Sequence, residues 1–303
     1  MSKRQYPRAS ITSKGEKALR GGHPWVYADE VTSLSAAPED GGLVDVYSGK
    51  DKYLGTGFYN SHSKIRIRIL SRNANDSFDS LFWERRLRYA VAYRRTVMGE
   101  TDFKCCRLIF GEADGFPGLT VDRFENVLVA QVLSLGIEKV KDILFPALVR
   151  ILREEFGAEI DTLYLRNDVA IRELEGMEQG KGWYELPGEP VPESALAEIV
   201  ENGIHYTVDV ENGQKTGFFL DQKWNRAAMK PFCRNARVLD CFCHNGSFSL
   251  HAAKFGAKSV LGVDISEEAL EVARKNAAIN GFSNVTFEAH NCFDLLRELT
   301  DAG

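Results

Sequence analysis

Two aspartates, Asp240 and Asp264, each close a short apolar run: Arg237-Val238-Leu239 and Ser259-Val260-Leu261-Gly262-Val263. A carboxylate so placed can accept hydrogen bonds from a ribose diol or face an amino group. Between the two runs stands Asn245-Gly246-Ser247. This is turn chemistry, because glycine accepts positive φ and asparagine tolerates it. Gly246 has no side chain, so the backbone N–H groups around Asn245-Gly246 are expected to approach a ligand closely. A second group, Gln214, Lys215, Thr216, Asp221 and Gln222, precedes Trp224-Asn225-Arg226. So many polar groups in one short loop either line a substrate mouth or belong to a hairpin that joins domains.

The elements that must hold these residues follow from spacing. Phe248, Leu250, His251 to Ala253 and Phe255 recur at helical period, and Gly256 is placed to end that helix. Strand, turn, helix and strand of this length make a βαβ unit with parallel strands. Ligands sit outside the carboxyl ends of such strands, where Asp240 and Asp264 are expected. A helix from Ser266 to Asn280 follows, with Ser266 as N-cap and Glu267-Glu268 in its first turn. Val285 to Ala289 is a third strand, and Asn291 and Phe293 fall just beyond its end.

A dinucleotide site wants G-x-G-x-x-G, and this turn has only Gly246. A pyrophosphate is poorly served, which disfavours an NAD-dependent oxidoreductase. A ligand with adenosine and ribose but no phosphate fits better. S-adenosylmethionine (SAM) is such a ligand; a purely structural βαβ unit stays open beside it. One βαβαβ half is readable, and its first strand would be a long apolar edge. The expectation is a fragment of a longer protein that lacks about a hundred residues of a second half.

The chain has 303 residues, 44% hydrophobic and 27% charged, as in ordinary globular proteins with two or three domains. No apolar run approaches membrane-spanning length and no apolar signal region opens the chain, so a cytoplasmic protein is expected. The six cysteines form no disulfide framework. Cys105-Cys106 and Cys241-x-Cys243 lack zinc-knuckle spacing, so no metal site is expected. The net charge of −5 hides an asymmetry: residues 1–95 carry +7 and the remainder −12. A basic module on an acidic body would suit RNA, though chance unevenness gives the same count.

Residues 1–75 read as a β-rich module with glycine turns. In it, Ile65, Ile67 and Ile69 alternate with Lys64, Arg66 and Arg68, a cationic stripe suited to a phosphate backbone. A half-buried strand with solvated charges gives the same alternation. Arg20, His23 and Trp25 form a candidate contact loop. Residues 76–95 make a basic linking helix, and residues 76–195 together read as an α+β domain with a helix over 137–156. Residues 196–303 hold the hairpin and the partial nucleotide fold.

Together these stretches resemble the SAM-dependent large-subunit ribosomal RNA methyltransferases of the cytosine-5 type, over essentially the whole chain. Arg20 to Tyr27 and Gly55 to Asn60 resemble that family's N-terminal RNA-binding PUA domain. Leu108 to Arg123 resembles its central domain. Gly213 to Gln222 resembles its hairpin signature, and Leu239 to Ala253 its SAM motif. The resemblance implies a PUA-like barrel, a central α+β domain and a Rossmann-like sheet. It implies SAM bound by Asp240, Phe242, His244, Asn245, Gly246, Ser247, Phe248, Asp264, Ile265, Asn291, Cys292, Phe293 and Gln222. RNA would be met by Arg20, His23, Trp25, Lys64, Arg66, Arg68, Lys215 and Lys223. Asn291 stands where the family has Asp, and Lys223 where it has Arg. The family's nucleophilic cysteine and acidic-proline loop would lie beyond residue 303, which leaves the catalytic residues unassigned and the fragment inactive by itself. Guanine-N2 methylation and a non-catalytic RNA-binding protein are the alternatives, and a homodimer is one possible assembly.

Overall fold

The computed structural model describes residues 6–302. The chain divides into two compact units, residues 1–195 and 196–303. The first unit begins with β1 (Arg8–Ile11), α1 (Ser13–Arg20), β2 (Trp25–Tyr27), β3 (Val31–Leu34), β4 (Leu43–Ser48), β5 (Tyr53–Tyr59) and β6 (Ile65–Ser71). Among the described residues these strands form one sheet in the order β2-β6-β5-β4-β1-β3, antiparallel except for β1 against β4. Ala9, Ile11, Val26, Val44, Val46 and Ile67 fill its interior.

The rest of the first unit is α+β. Here α2 (Ser80–Asp102, interrupted at Gly99) and α3 (Leu135–Phe156) pack on a sheet of β7 (Cys105–Phe110), β8 (Leu119–Phe124), β9 (Val127–Val132), β10 (Thr162–Asn167) and β11 (Gly180–Tyr184), with the short helix α4 (Ile171–Leu174) before β11. Asp79 caps α2 by accepting from the Phe82 N–H at 3.0 Å. Phe58 and Leu70 of the first sheet join Trp83, Leu87, Phe116 and Leu148 in one core. The β module and the α+β part therefore make a single unit.

This shared burial corrects the cationic stripe. Ile67 and Ile69 face the core of this sheet, but the other face of β6 is covered too. Arg68 is 8% exposed and pairs with Glu112 at 3.1 Å and Glu175 at 2.8 Å. Trp25 is drawn into the same group: its indole N–H donates to Glu112 at 2.7 Å. Asn60 and Ser63 hold Glu175 from the other side. Arg68 cannot serve a phosphate, because both of its carboxylate partners are already set around it. Arg66 is half-buried and donates to the Asn60 carbonyl, while Lys64 is exposed.

The second unit opens with the hairpin β12 (Leu196–Glu201) and β13 (Ile204–Asp209), then α5 (Lys223–Ala228) and α6 (Lys230–Cys233). The order β14 (Arg237–Cys241), α7 (Ser247–Lys254), β15 (Ser259–Asp264), α8 (Glu267–Ile279), β16 (Val285–Ala289), α9 (Cys292–Asp301) completes it. Strands β14, β15 and β16 are parallel and adjacent in that order. Gly262 is required inside β15: a Cβ there would lie 2.6 Å from the Phe287 ring and 2.8 Å from Ser249 Oγ.

Removing Arg68 would strand the Glu175 carboxylate, 3% exposed, without its cation. Arg68→Ala is expected to cost about 3–5 kcal/mol in urea unfolding, against under about 1 kcal/mol for a surface ion pair.

Candidate active site at the carboxyl ends of the parallel strands

The turn after β14 carries the site, and its backbone is unusual. Phe242 (φ 60°) and His244 (φ 50°) are left-handed along with Gly246 (φ 72°). Non-glycine residues adopt this conformation rarely, and they cluster at functional sites. Each strained residue is pinned. The Phe242 N–H donates to Cys292 Sγ at 3.2 Å, and the His244 N–H donates to Asp264 Oδ2 at 2.8 Å. The second carboxylate oxygen of Asp264 accepts from the Ser266 N–H at 3.0 Å. Asp264 thus ties two strand-end loops together and keeps one lone pair on each oxygen.

Two adjoining cavities open here, of about 410 and 280 Å³. The larger is lined by Gln214, Lys215, Phe219, Asp221 and Gln222 from the polar loop, with Arg226 of α5. Phe242, Cys243, His244, Asn245, Ser247, Phe248 and Asp264 complete it. His244, Asn245, Gln214 and Asp264 border both. Burial lowers the His244 imidazole below its ordinary value, with Asp264 opposing, so the ring is neutral at pH 7.

The loop is bolted down from behind by a buried polar lattice. Arg226 is fully buried and grips Glu201 with two bonds, Nε to Oε1 at 2.6 Å and Nη2 to Oε2 at 2.8 Å. The same guanidinium donates to the Phe219 carbonyl at 2.9 Å and lies 3.5 Å from Ser247 Oγ. His251 Nε2 faces the Asn202 amide at 3.0 Å and Nδ1 faces the Ser247 carbonyl at 2.7 Å. An amide donor on one side and a carbonyl on the other select the neutral ring with its proton on Nδ1. Burial holds this imidazole down at about 4. In the sequence Arg226 stands only as the end of a polar run, and nothing local sets Glu201 apart. The two stand 25 residues apart, and nothing local marks them as partners.

Several expected site residues are placed otherwise. Asp240 lies inside β14, opposite Gly262, and not at the edge beside Asp264. Its carboxyl is bound by the Ser249 hydroxyl at 2.6 Å and raised by burial, so it serves the helix contact. Gly246 itself is held by protein. Its N–H donates to the Cys243 carbonyl at 2.8 Å, and a Cβ would lie 2.7 Å from the Phe287 ring. Cys292 is buried beneath the loop, with its thiol donating to the Val263 carbonyl. Asn291 caps α9 by accepting from the Phe293 N–H at 2.9 Å. Phe242, Ile265 and Phe293 stand 58, 77 and 64% exposed beyond the ends of the strands, with the two phenyl rings 5.5 Å apart. Lys215 lines the larger cavity and pairs with Asp221 at 2.9 Å. Lys223 is buried, its ammonium 5.8 Å from the Trp224 ring. In the first unit, Arg20 is exposed and bonded to Glu16, and His23 is exposed edge-on to Trp25.

Residues 10–72 match the PUA-like domain family and residues 233–302 match a methyltransferase domain family. The ribosomal RNA large subunit methyltransferase I of Aeromonas hydrophila is 40% identical over 293 residues, covering 95% of this chain and 71% of that protein. The Klebsiella pneumoniae protein of the same name is 37% identical over 300 residues, covering 98% and 72%. A solved structure from Streptococcus mutans, described as a candidate SAM-dependent methyltransferase, aligns with a TM-score of 0.77 at 20% identity over 97% of this chain and 73% of that one. A candidate methyltransferase solved with S-adenosylhomocysteine aligns at 0.79 with the same identity and coverage. Among the described residues no helix is long and apolar enough to cross a membrane.

The lowered His251 ring makes stability depend on pH in a defined window. The unfolded ring binds a proton near pH 6.5 and the folded ring only near 4. The contribution is therefore whole above about pH 6.5 and is lost as the pH falls toward 4, by roughly 3 kcal/mol in all. In urea unfolding, the stability gap between wild type and His251→Gln should narrow steadily from pH 7 to pH 4.5.

Proposed function

The chain belongs to the ribosomal RNA large subunit methyltransferase I family, and from that premise we propose that it forms 5-methylcytosine in large-subunit ribosomal RNA. The cofactor is SAM, which supplies a methyl group made electrophilic by a sulfonium. The single observation that carries the site assignment is the convergence of Asp264, Phe242, Ile265 and Phe293 on the carboxyl edge of three parallel strands.

This edge fits the cofactor. The free lone pairs of Asp264 accept from the ribose hydroxyls, and the exposed faces of Phe242, Ile265 and Phe293 gain cover from an adenine. Asp264 in the wall suits a cationic ligand and would repel a pyrophosphate. Neutral His244 adds no opposing charge. The Glu201–Arg226 pair holds Ser247 and Phe219, so the cavity wall is set before the ligand enters.

Cytosine C5 becomes nucleophilic when a thiolate adds at C6, and a base then removes the C5 proton. Burial raises the Cys241 and Cys243 thiols, and the carboxylates near Cys243 raise it further. Both remain protonated at neutral pH, and neither is assigned as the nucleophile. In the first unit, exposed Arg20, His23 and Lys64 are the proposed RNA contacts.

Deleting the gene is expected to remove one 5-methylcytidine from large-subunit ribosomal RNA, read by mass spectrometry of nuclease digests. A plasmid copy should restore it and an Asp264→Ala copy should not. Loss of an N2-methylguanosine would select the guanine reading, and no change in either nucleoside would refute both.

A further inference from the structure

The larger cavity contains a charged pair that the cofactor reading does not use. Lys215 adopts left-handed backbone (φ 56°), which a lysine does not take without compensation. That turn sets its ammonium 4.5 Å from the Phe219 ring and 2.9 Å from Asp221 Oδ1. Gln222 also donates to Asp221, at 3.3 Å. Ring, cation and acid all line the cavity.

Among the described lining residues the cations are Lys215 and Arg226. The Arg226 charge is met by Glu201 directly behind it, both fully buried. The Asp264 charge is held by two backbone N–H groups. Lys215 and Asp221 are 45 and 57% exposed in their side chains, so their charges lie on the cavity wall itself. Either one, left alone, would change the net charge of the cavity wall by one unit.

SAM and its demethylated product differ there by one positive charge, because the sulfonium becomes a neutral thioether. We propose that the Lys215–Asp221 pair determines cofactor-over-product specificity, with Asp221 neutralising the Lys215 ammonium so that the cavity accepts a sulfonium. The inference rests on the proposed cofactor. It gives Lys215 a task other than RNA contact, which agrees with its place in the cavity wall. It also accounts for a strained lysine where an ordinary turn residue would be cheaper.

The test is calorimetric titration of the chain with SAM and, separately, with S-adenosylhomocysteine, read as the ratio of the two dissociation constants. The ratio cancels losses of shape or stability that affect both ligands alike. Asp221→Asn is expected to weaken SAM relative to S-adenosylhomocysteine by roughly three- to tenfold at low salt, the scale of one unit charge several ångströms away. Lys215→Met should move the ratio in the opposite direction, and the double variant should return it to within about twofold of wild type. Circular dichroism checks that each variant is folded. Both ligands binding with an unchanged ratio in both single variants, or with both ratios shifted the same way, would overturn the inference alone. Failure of wild type to bind S-adenosylhomocysteine would overturn the cofactor reading and this inference with it.

Discussion

The buried Glu201–Arg226 pair is the contact on which the second unit depends. A guanidinium without water is costly unless each donor finds an acceptor. Arg226 meets this with the Glu201 carboxylate, the Phe219 carbonyl and the nearby Ser247 hydroxyl. Those partners come from three different segments: the end of β12, the polar loop, and the first residue of α7. One side chain therefore holds together the hairpin, the cavity wall and the start of the helix that follows the strained turn. His251, from the same helix, adds the Asn202 and Ser247 contacts and closes the lattice.

Strain in front of this lattice is held by matched acceptors. Phe242 and His244 keep left-handed backbones because Cys292 and Asp264 receive their N–H groups. Asp264, the proposed ribose acceptor, thus also fixes the geometry of the loop, and its two remaining lone pairs are aimed by bonds already made. Gly246 and Gly262 have a different task. They leave room for Phe287, so the helix and the third strand close on the turn from below. The residues that shape the cavity are held by protein contacts, while Phe242 and Phe293 stay exposed at its edge.

In the first unit the same physics takes residues away from RNA. Arg68 and Trp25 are built into an ion-pair group with Glu112 and Glu175, where the β module meets the α+β part. The arginines of α2 are similarly engaged: Arg86 donates to the Gly115 and Leu70 carbonyls, and Arg94 pairs with Asp114. A positive count over residues 1–95 therefore overstates the charge free to meet a polyanion. Arg20, His23 and Lys64 remain at the surface.

The sequence by itself determined the element types, because hydrophobic period, turn residues and helix caps are local signals. The βαβ unit, the alternation of β6, the Ser266 cap and the acid closing β15 were all readable, and so was the polar loop at 214–222. The tertiary structure decided which polar groups line the cavity and which face protein. Asp240 and Asp264 end similar apolar runs, but the strand register sets Asp240 two residues short of Asp264, against Ser249. Arg68 alternates with isoleucines like any solvated residue, until a second layer covers that face. The Glu201–Arg226 bond and the positive φ of Phe242 and His244 left no mark in composition or spacing. They arise because buried charge and strained backbone are stable only where distant segments supply their partners, and only the folded chain brings those segments together.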